Sequence, residues 1–215
     1  MSAAAVKAPA AKQGAKEKIL GAARRLIRER GYTATTVDHL CADAGVTKGA
    51  FFHHFESKEA LAVAAAEAWT ESNRDFFGNA PFQAPKDPLD RILAYVDFRK
   101  SLMKGSLAEF TCLMGTMLQE TYASHPAIRD ACAADIFAHA RMLEADIAAA
   151  MADRRMDVDW SARSLSLHIQ AVLQGAFILA KAEDGVRSAR QSCDHLKRYI
   201  ETLFEAPRTR KGAAS

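Results

Sequence analysis

The sequence predicts an all-α protein: an N-terminal three-helix head containing a helix-turn-helix, followed by a larger helical body. Three observations carry this. No segment shows the period-two alternation of a half-buried strand, whereas apolar residues recur at helical spacing along most of the chain. The 215 residues are 49% hydrophobic with only 11 Gly and 6 Pro, enough apolar surface for a core and few helix breakers. Residues 35–58 hold two short amphipathic segments on either side of Gly45, then the capped start of a third helix.

Residues 1–15 are Ala-rich, carry Lys7 and Lys12 and lack acids, which reads as a disordered tail; a basic arm touching phosphates or a minor groove is the alternative. From Lys16 to Gly31, Ile19, Ala22, Ala23, Leu26 and Ile27 form one apolar stripe, with Arg24, Arg25, Arg28 and Arg30 outside it or towards the C-terminus. Val37, Leu40, Cys41 and Ala44 make the apolar face of a short second helix. Gly45 supplies the left-handed turn, Val46 plugs it, and Thr47 caps the third helix. In that helix Phe51 and Phe55 point inward at i and i+4, leaving Lys48, Gly49, Ala50, Phe52, His53 and His54 outward. Ser57 caps a longer helix that runs to about Phe77, and the head ends within it. After the breaks at Gly78–Pro81 and Pro85–Pro88, the body reads as five helices, near 88–104, 106–123, 126–153, 160–182 and 187–205. The expected organisation is a tail (1–15), a helix-turn-helix domain (16–62), an effector-binding and dimerisation domain (63–206) and a second disordered tail (207–215).

The net charge of +3 hides an asymmetry: residues 1–58 carry 10 Lys/Arg against 5 Asp/Glu, and the rest 19 against 21. Positive charge therefore accompanies the helix-turn-helix, as phosphate binding requires. Four dispersed cysteines without a CxxC pair argue against a disulfide framework and for the cytoplasm. No run approaches the ~18 consecutive apolar residues of a membrane span, so no membrane partner is expected. There is no glycine-rich phosphate loop, GxSxG or HExxH, which argues against an enzyme and against a cofactor. Cys132, Asp135 and His139 share one helix face, but no second pair at metal-ligand spacing accompanies them, so no metal is expected.

The stretch Gly31-Tyr32, Thr35-Thr36-Val37, Leu40-Cys41, Ala44 to Gly49, Phe51-Phe52, His54-Phe55 and Ser57-Lys58-Glu59 to Leu61 closely resembles the N-terminal domain of TetR/AcrR-type transcriptional repressors. The resemblance covers Lys16 to about Trp69, and extends over the body through length and helix count. Cys112-Leu113-Met114-Gly115 and Gln174-Gly175-Ala176 look like the NemR-like branch. The resemblance implies a homodimer held by a four-helix bundle from the last two helices of each subunit. It also implies a palindromic double-stranded DNA operator and a small-molecule effector that respaces the heads and releases DNA. Phe52 departs from it: that position usually holds a tyrosine whose hydroxyl bonds a phosphate.

Within this frame, Thr36, Thr47 and Lys58 sit at helix starts, where hydroxyls, free N–H groups and a cation favour phosphate. Lys48, His53 and His54 can reach phosphate or base edges, Gly49 and Ala50 allow close approach, and Phe52 offers a ring to a thymine methyl. The alternative for His54 is a residue wedged between helices. Phe98, Phe110, Cys112, Met114, Met117, Phe137, His168, Gln174 and Phe177 are the expected lining of an apolar or aromatic effector pocket, with His139 and Gln170 as further polar groups. For each, packing in the core is the competing reading. Cys112 also admits a redox or electrophile sensor, with Lys181 as a candidate acidifying partner. Leu165, Ile169, Val172, Phe177, Leu196, Tyr199 and Leu203 are the expected dimer interface, because the 160–182 helix is apolar more than half way round. A constitutive DNA-binding protein without an effector is the remaining alternative; its body would be solid.

Overall fold

The computed structural model describes residues 14–205. The two expected tails lie outside the described residues, except for Gly14 and Ala15. Gly14 precedes α1 (Ala15–Arg30), and its backbone N–H donates to the Glu17 carboxylate one turn on (3.1 Å). The rest of the head is α2 (Val37–Ala44) and α3 (Lys48–His54), packed on the start of α4 (Lys58–Gly78). A 3-10 turn at Pro81–Gln83 leads into α5 (Pro88–Leu102). Then come α6 (Leu107–Phe110), α7 (Leu113–Thr121), α8 (Pro126–Asp153), α9 (Ala162–Glu183) and α10 (Arg187–Glu205). Among the described residues there is no strand.

The helix starts are chemically marked. Thr36, Thr47 and Ser57 accept from the N–H groups of His39 (3.1 Å), Ala50 (3.1 Å) and Ala60 (3.0 Å), each satisfying a donor with no intrahelical partner. Asp87 does the same for Leu89 (2.7 Å), with Pro88 at the first helical position, and Pro126 opens α8 in the same way. Gly45 ends α2 at φ +63°, ψ 40°, a left-handed conformation glycine adopts without steric cost.

The 106–123 segment is not one helix. Thr111 is extended (φ −74°, ψ 158°), its hydroxyl donates back to the Leu107 carbonyl (2.7 Å), and its own carbonyl accepts from Arg28 Nη1 of α1 (3.2 Å). The extended backbone at Thr111 breaks the helical ladder there. The chain restarts at Cys112, whose sulfur accepts from Gly115 N (3.4 Å), and this puts the cysteine at a helix N-terminus.

Two apolar cores organise the molecule. The first joins Ile19, Leu26, Leu40, Phe51, Phe55 and Leu61 of the head to Leu113, Met114, Met117, Ile128 and Cys132 of α7 and α8. The head therefore shares its core with the body. The second runs through Phe77, Ile92, Tyr95, Leu143, Ile147, Ile169, Leu173 and Leu196. Helix α4 reaches both, through Leu61 to Ala66 at one end and Phe77 at the other. Helix α9 is long and apolar enough to cross a bilayer by length and composition, yet Leu165, Ile169, Leu173 and Phe177 are packed into the body core under α8 and α10.

Candidate DNA interface and effector cavity

The outer face of the head is built as the spacing requires. Phe51 and Phe55 are buried and their rings pack at 5.9 Å, so the opposite face of α3 is turned outward. Thr36, Thr47, Lys48, Gly49, His53 and His54 are exposed, Ala50 is half-buried, and Phe52 is 55% exposed. His54 is not wedged between helices; it lies at the surface, its ring edge-on to that of His53 (4.9 Å).

Two cations behave differently from the expectation. Lys48 pairs with the Asp38 carboxylate of α2 (2.7 Å), and that hydrogen bond and charge raise its pKa. Lys58 is half-buried and turned inward: its ammonium donates to the carbonyls of Tyr32 and Thr35 (both 3.0 Å) and lies over the Tyr32 ring. Burial pushes its pKa down, with Glu120 opposing. It is a strut for the loop before α2, with one N–H left over for phosphate. Pattern reasoning missed it because a lysine at a helix start looks the same whether it turns in or out.

The body contains a cavity of about 590 Å³, within the range of small-molecule sites. Of the expected lining, Phe110, Cys112, Gln174 and Phe177 reach it, and His139 and Gln170 join them. The others do not. Met114 and Met117 are fully buried in the shared head–body core, because the break at Thr111 rotates α7 away from the cavity. Phe98 packs behind the cavity wall against Phe76, Phe77 and Phe82. Phe137 is 48% exposed on the outside of α8, and His168 is on the outer face of α9 against Tyr199 (5.1 Å).

The residues missed are those contributed by other elements. Arg28 comes from the head, its guanidinium 5.0 Å from the Trp69 ring centroid; burial, chiefly, lowers its pKa to about 10, so it stays charged at neutral pH. Trp69 and Phe76 come from α4, Arg99 from α5 and Asp135 from α8. Arg99 lies near the rings of Phe77 (5.4 Å), Phe177 (5.7 Å) and Tyr95 (5.8 Å) and donates to the Tyr95 hydroxyl (3.1 Å). That hydroxyl also pairs with His139 Nε2 (2.7 Å). Desolvation, then the Arg99 charge, holds His139 down at about 3, so it is a neutral hydrogen-bonding group at neutral pH. Desolvation raises the Asp135 pKa, with a Thr70 hydrogen bond and the Arg99 charge opposing.

Cys112 lines both this cavity and a smaller one beside it that includes Thr116, Glu120 and Lys181. Lys181 donates to the Thr116 hydroxyl (2.7 Å), burial lowers its pKa, and both it and Arg28 lie within electrostatic reach of the Cys112 sulfur. The other three cysteines are buried, and desolvation pushes Cys132 to about 12 and Cys193 to about 11. Among the described residues no cluster of His, Cys, Asp or Glu is arranged to hold a metal ion.

At its far end α7 grips the head. The Glu120 carboxylate accepts from the backbone N–H groups of Tyr32 (3.0 Å) and Thr33 (2.8 Å), in the loop that positions α2. It lies so close to Gly31 (φ +91°) that a Cβ there would overlap it. One nine-residue helix thus carries a cavity residue at one end and a clamp on the head at the other.

The expected dimer residues are corrected in part. Leu165, Ile169, Phe177 and Leu196 are buried inside this one chain, because α9 packs on α8 and α10, and α10 packs on α5. Val172 and Leu203 are half-buried, and Tyr199 is 47% exposed. The large apolar residues left outward on α9 are Ile178 and Leu179, at 49% and 48% exposure.

Comparison with known proteins matches residues 19–65 to the bacterial regulatory proteins of the tetR family, and residues 88–196 to a tetracyclin repressor-like C-terminal domain. The chain is 30% identical over 125 residues to the HTH-type transcriptional regulator LmrA of Bacillus subtilis, covering 54% of this chain and 62% of that protein. It is 34% identical over 80 residues to the HTH-type transcriptional repressor NemR of Escherichia coli, covering 37% and 40%. Against YerO of Bacillus subtilis it is 44% identical over 52 residues, 24% of this chain and 18% of that protein, so the chain spans less than two thirds of YerO and LmrA. Among solved structures, a TetR-family regulator from Agrobacterium tumefaciens superposes with a TM-score of 0.77 at 19% identity, covering 86% of this chain and 97% of that one. Reduced E. coli NemR superposes at 0.70 with 22% identity, covering 86% and 96%. At such identities these two likenesses speak for the fold alone.

Proposed function

The chain belongs to the TetR family of bacterial regulatory proteins, DNA-binding transcriptional regulators and not enzymes, and from that premise we propose that it is a ligand-responsive repressor. Two copies bind a palindromic operator, each laying α3 in a major groove. Lys48, Thr36, Thr47 and the histidines hold phosphates and base edges there. Each good bidentate base contact would discriminate by roughly 1–3 kcal/mol, and each phosphate contact would add salt dependence. The dimer forms through the outer faces of α9 and α10, where Val172, Ile178, Leu179 and Tyr199 are open to a second copy. A small molecule in the cavity shifts α7, and Glu120 passes the shift to the loop before α2.

The observation that carries this reading is the placement of α7 between cavity and head. A constitutive DNA-binding protein has no use for a 590 Å³ cavity whose wall includes Arg28 of the head. The test is selection of duplexes from a random library, then fluorescence anisotropy on the selected sequence. Expected are an inverted repeat, a steep loss of affinity with salt, and a complex of two chains. A monomeric complex without sequence preference would overturn the proposal, and Leu179→Asp should leave a monomer with weakened operator binding.

The surroundings of Cys112 favour one further reading, a sensor of electrophiles or oxidants. Its sulfur stands at the start of α7, open to two cavities, with two cations within electrostatic reach. Treatment with a quinone should release operator from the parent but not from Cys112→Ser; equal release from both would dismiss this reading.

A further inference from the structure

We propose that the cavity is built for an organic anion, an aromatic or aryl-alkyl carboxylate, with Arg99 and Gln170 holding the carboxylate and the aromatic walls holding the body. The proposal rests on the reading of the cavity as the effector site and adds the chemical class of its ligand.

Three observations converge at one end of the cavity. Arg99 is a permanently charged group, yet among the described residues no carboxylate lies within ion-pair distance of it; rings hold it in place. Of its five N–H donors, one is engaged, by the Tyr95 hydroxyl. Gln170 is 94% buried and lines the same cavity; its amide faces Tyr95, but Nε2 makes no hydrogen bond of acceptable geometry. A buried donor without a partner is costly, and a ligand oxygen would satisfy it.

The neighbouring groups cannot supply that acceptor. The Tyr95 hydroxyl is engaged by Arg99 and His139, and its pKa is raised by burial, so it stays a neutral phenol. Asp135 lies beyond ion-pair distance of Arg99; desolvation raises its pKa, while a hydrogen bond with Thr70 and the Arg99 charge oppose that. The Glu109 carboxylate is turned to Ser106, accepting from its backbone N (2.6 Å) and hydroxyl (2.9 Å). The lining thus holds three cations, Arg28, Arg99 and Lys104, against two carboxylates, Asp135 and Glu109, the second engaged by Ser106. A cationic ligand would meet aromatic faces already near Arg99 and a lining with more cations than carboxylates. A planar carboxylate fits the planar guanidinium fork, with the Gln170 amide as a further donor. Trp69, Phe76, Phe110 and Ile136 then leave room for a ring and a short chain.

The test uses the full-length protein and benzoate, trans-cinnamate and indole-3-acetate, each beside its methyl ester, with cinnamylamine as the cation. Binding is followed by thermal shift and calorimetry, and operator release by anisotropy. At least one acid should raise Tm in a dose-dependent way and bind about tenfold or more tighter than its ester, the equivalent of one charge-assisted hydrogen bond. Arg99→Met should abolish the preference for acid over ester while leaving ester binding in place. Arg99→Lys, which keeps charge without the fork, should fall between, and Gln170→Leu should weaken the acid several-fold. The acid–ester comparison on the parent needs no variant and so stands even if one misfolds. Esters or the amine binding as tightly as the acids, or no acid binding at all, would overturn the proposal. An acid that binds through Arg99 but leaves operator in place would uphold the anion site and defeat the effector reading instead.

Discussion

Replacing Glu120 with alanine tests the link between body and head directly. The carboxylate accepts from two backbone N–H groups, of the buried residue Tyr32 at 3.0 Å and the exposed residue Thr33 at 2.8 Å. A hydrogen bond to a charged group contributes about 1.5–3 kcal/mol when shielded. Glu120 is exposed, so water replaces part of each bond, and the two together should contribute about 1.5 kcal/mol. For a chain of this size each kcal/mol moves Tm by about 2–4 °C, so Glu120→Ala should melt about 3–6 °C below the parent. Glu120→Gln, which keeps one carbonyl acceptor, should lose about half of that. Gly31→Ala extends the test, since its φ of +91° with ψ 165° is a conformation for glycine and an alanine Cβ would overlap the Glu120 carboxylate. The backbone strain alone is about 1–3 kcal/mol. In the Glu120→Ala background the overlap is gone, so Gly31→Ala should cost less there than in the parent. Circular-dichroism melts of the four proteins give the cycle, and anisotropy gives operator release. Should Glu120→Ala melt within a degree of the parent and the two substitutions prove additive, the Glu120 clamp does not hold the head.

Three more outcomes rest on the same geometry. His139 is neutral when folded, its pKa lowered from 6.5 to about 3, so the unfolded chain binds the extra proton and stability should fall as pH drops through that window. The ceiling is about 1.4 kcal/mol per pH unit, reduced because the ring keeps partial exposure in the cavity wall, and acid melts of His139→Gln should lack this component. Asp38→Asn frees Lys48 from its exposed ion pair and removes a negative charge beside the groove, so DNA affinity at low salt should rise, whereas Lys48→Ala should reduce the salt slope by about one phosphate contact. Phe52→Tyr on the exposed face of α3 offers a hydroxyl to phosphate and should tighten operator binding by about 0.5–1.5 kcal/mol in anisotropy titrations without altering the melt.

Local signals determined the head: Thr36, Gly45, Thr47 and Ser57 mark boundaries that depend only on neighbouring backbone, and Phe51 with Phe55 determines which face of α3 turns outward. Periodicity likewise placed α8 and α10, and α9 to within two residues at each end, because a long amphipathic stripe is read within its own helix. What periodicity could not assign is the partner of each stripe. Met114 and Met117 look like pocket residues until α7 packs against α1, and Leu165, Ile169 and Leu196 look like a dimer face until α5 and α8 cover them. At the break at Thr111, which creates the N-terminus at Cys112, the carbonyl accepts from a guanidinium more than 80 positions earlier in the chain. The cavity is likewise a product of distant segments, joining Arg28, Trp69, Arg99, Asp135 and Gln170 from five helices. Burial and charge pairing between segments remote in sequence are properties of the folded packing, so the helices could be read one at a time but the site they enclose could not.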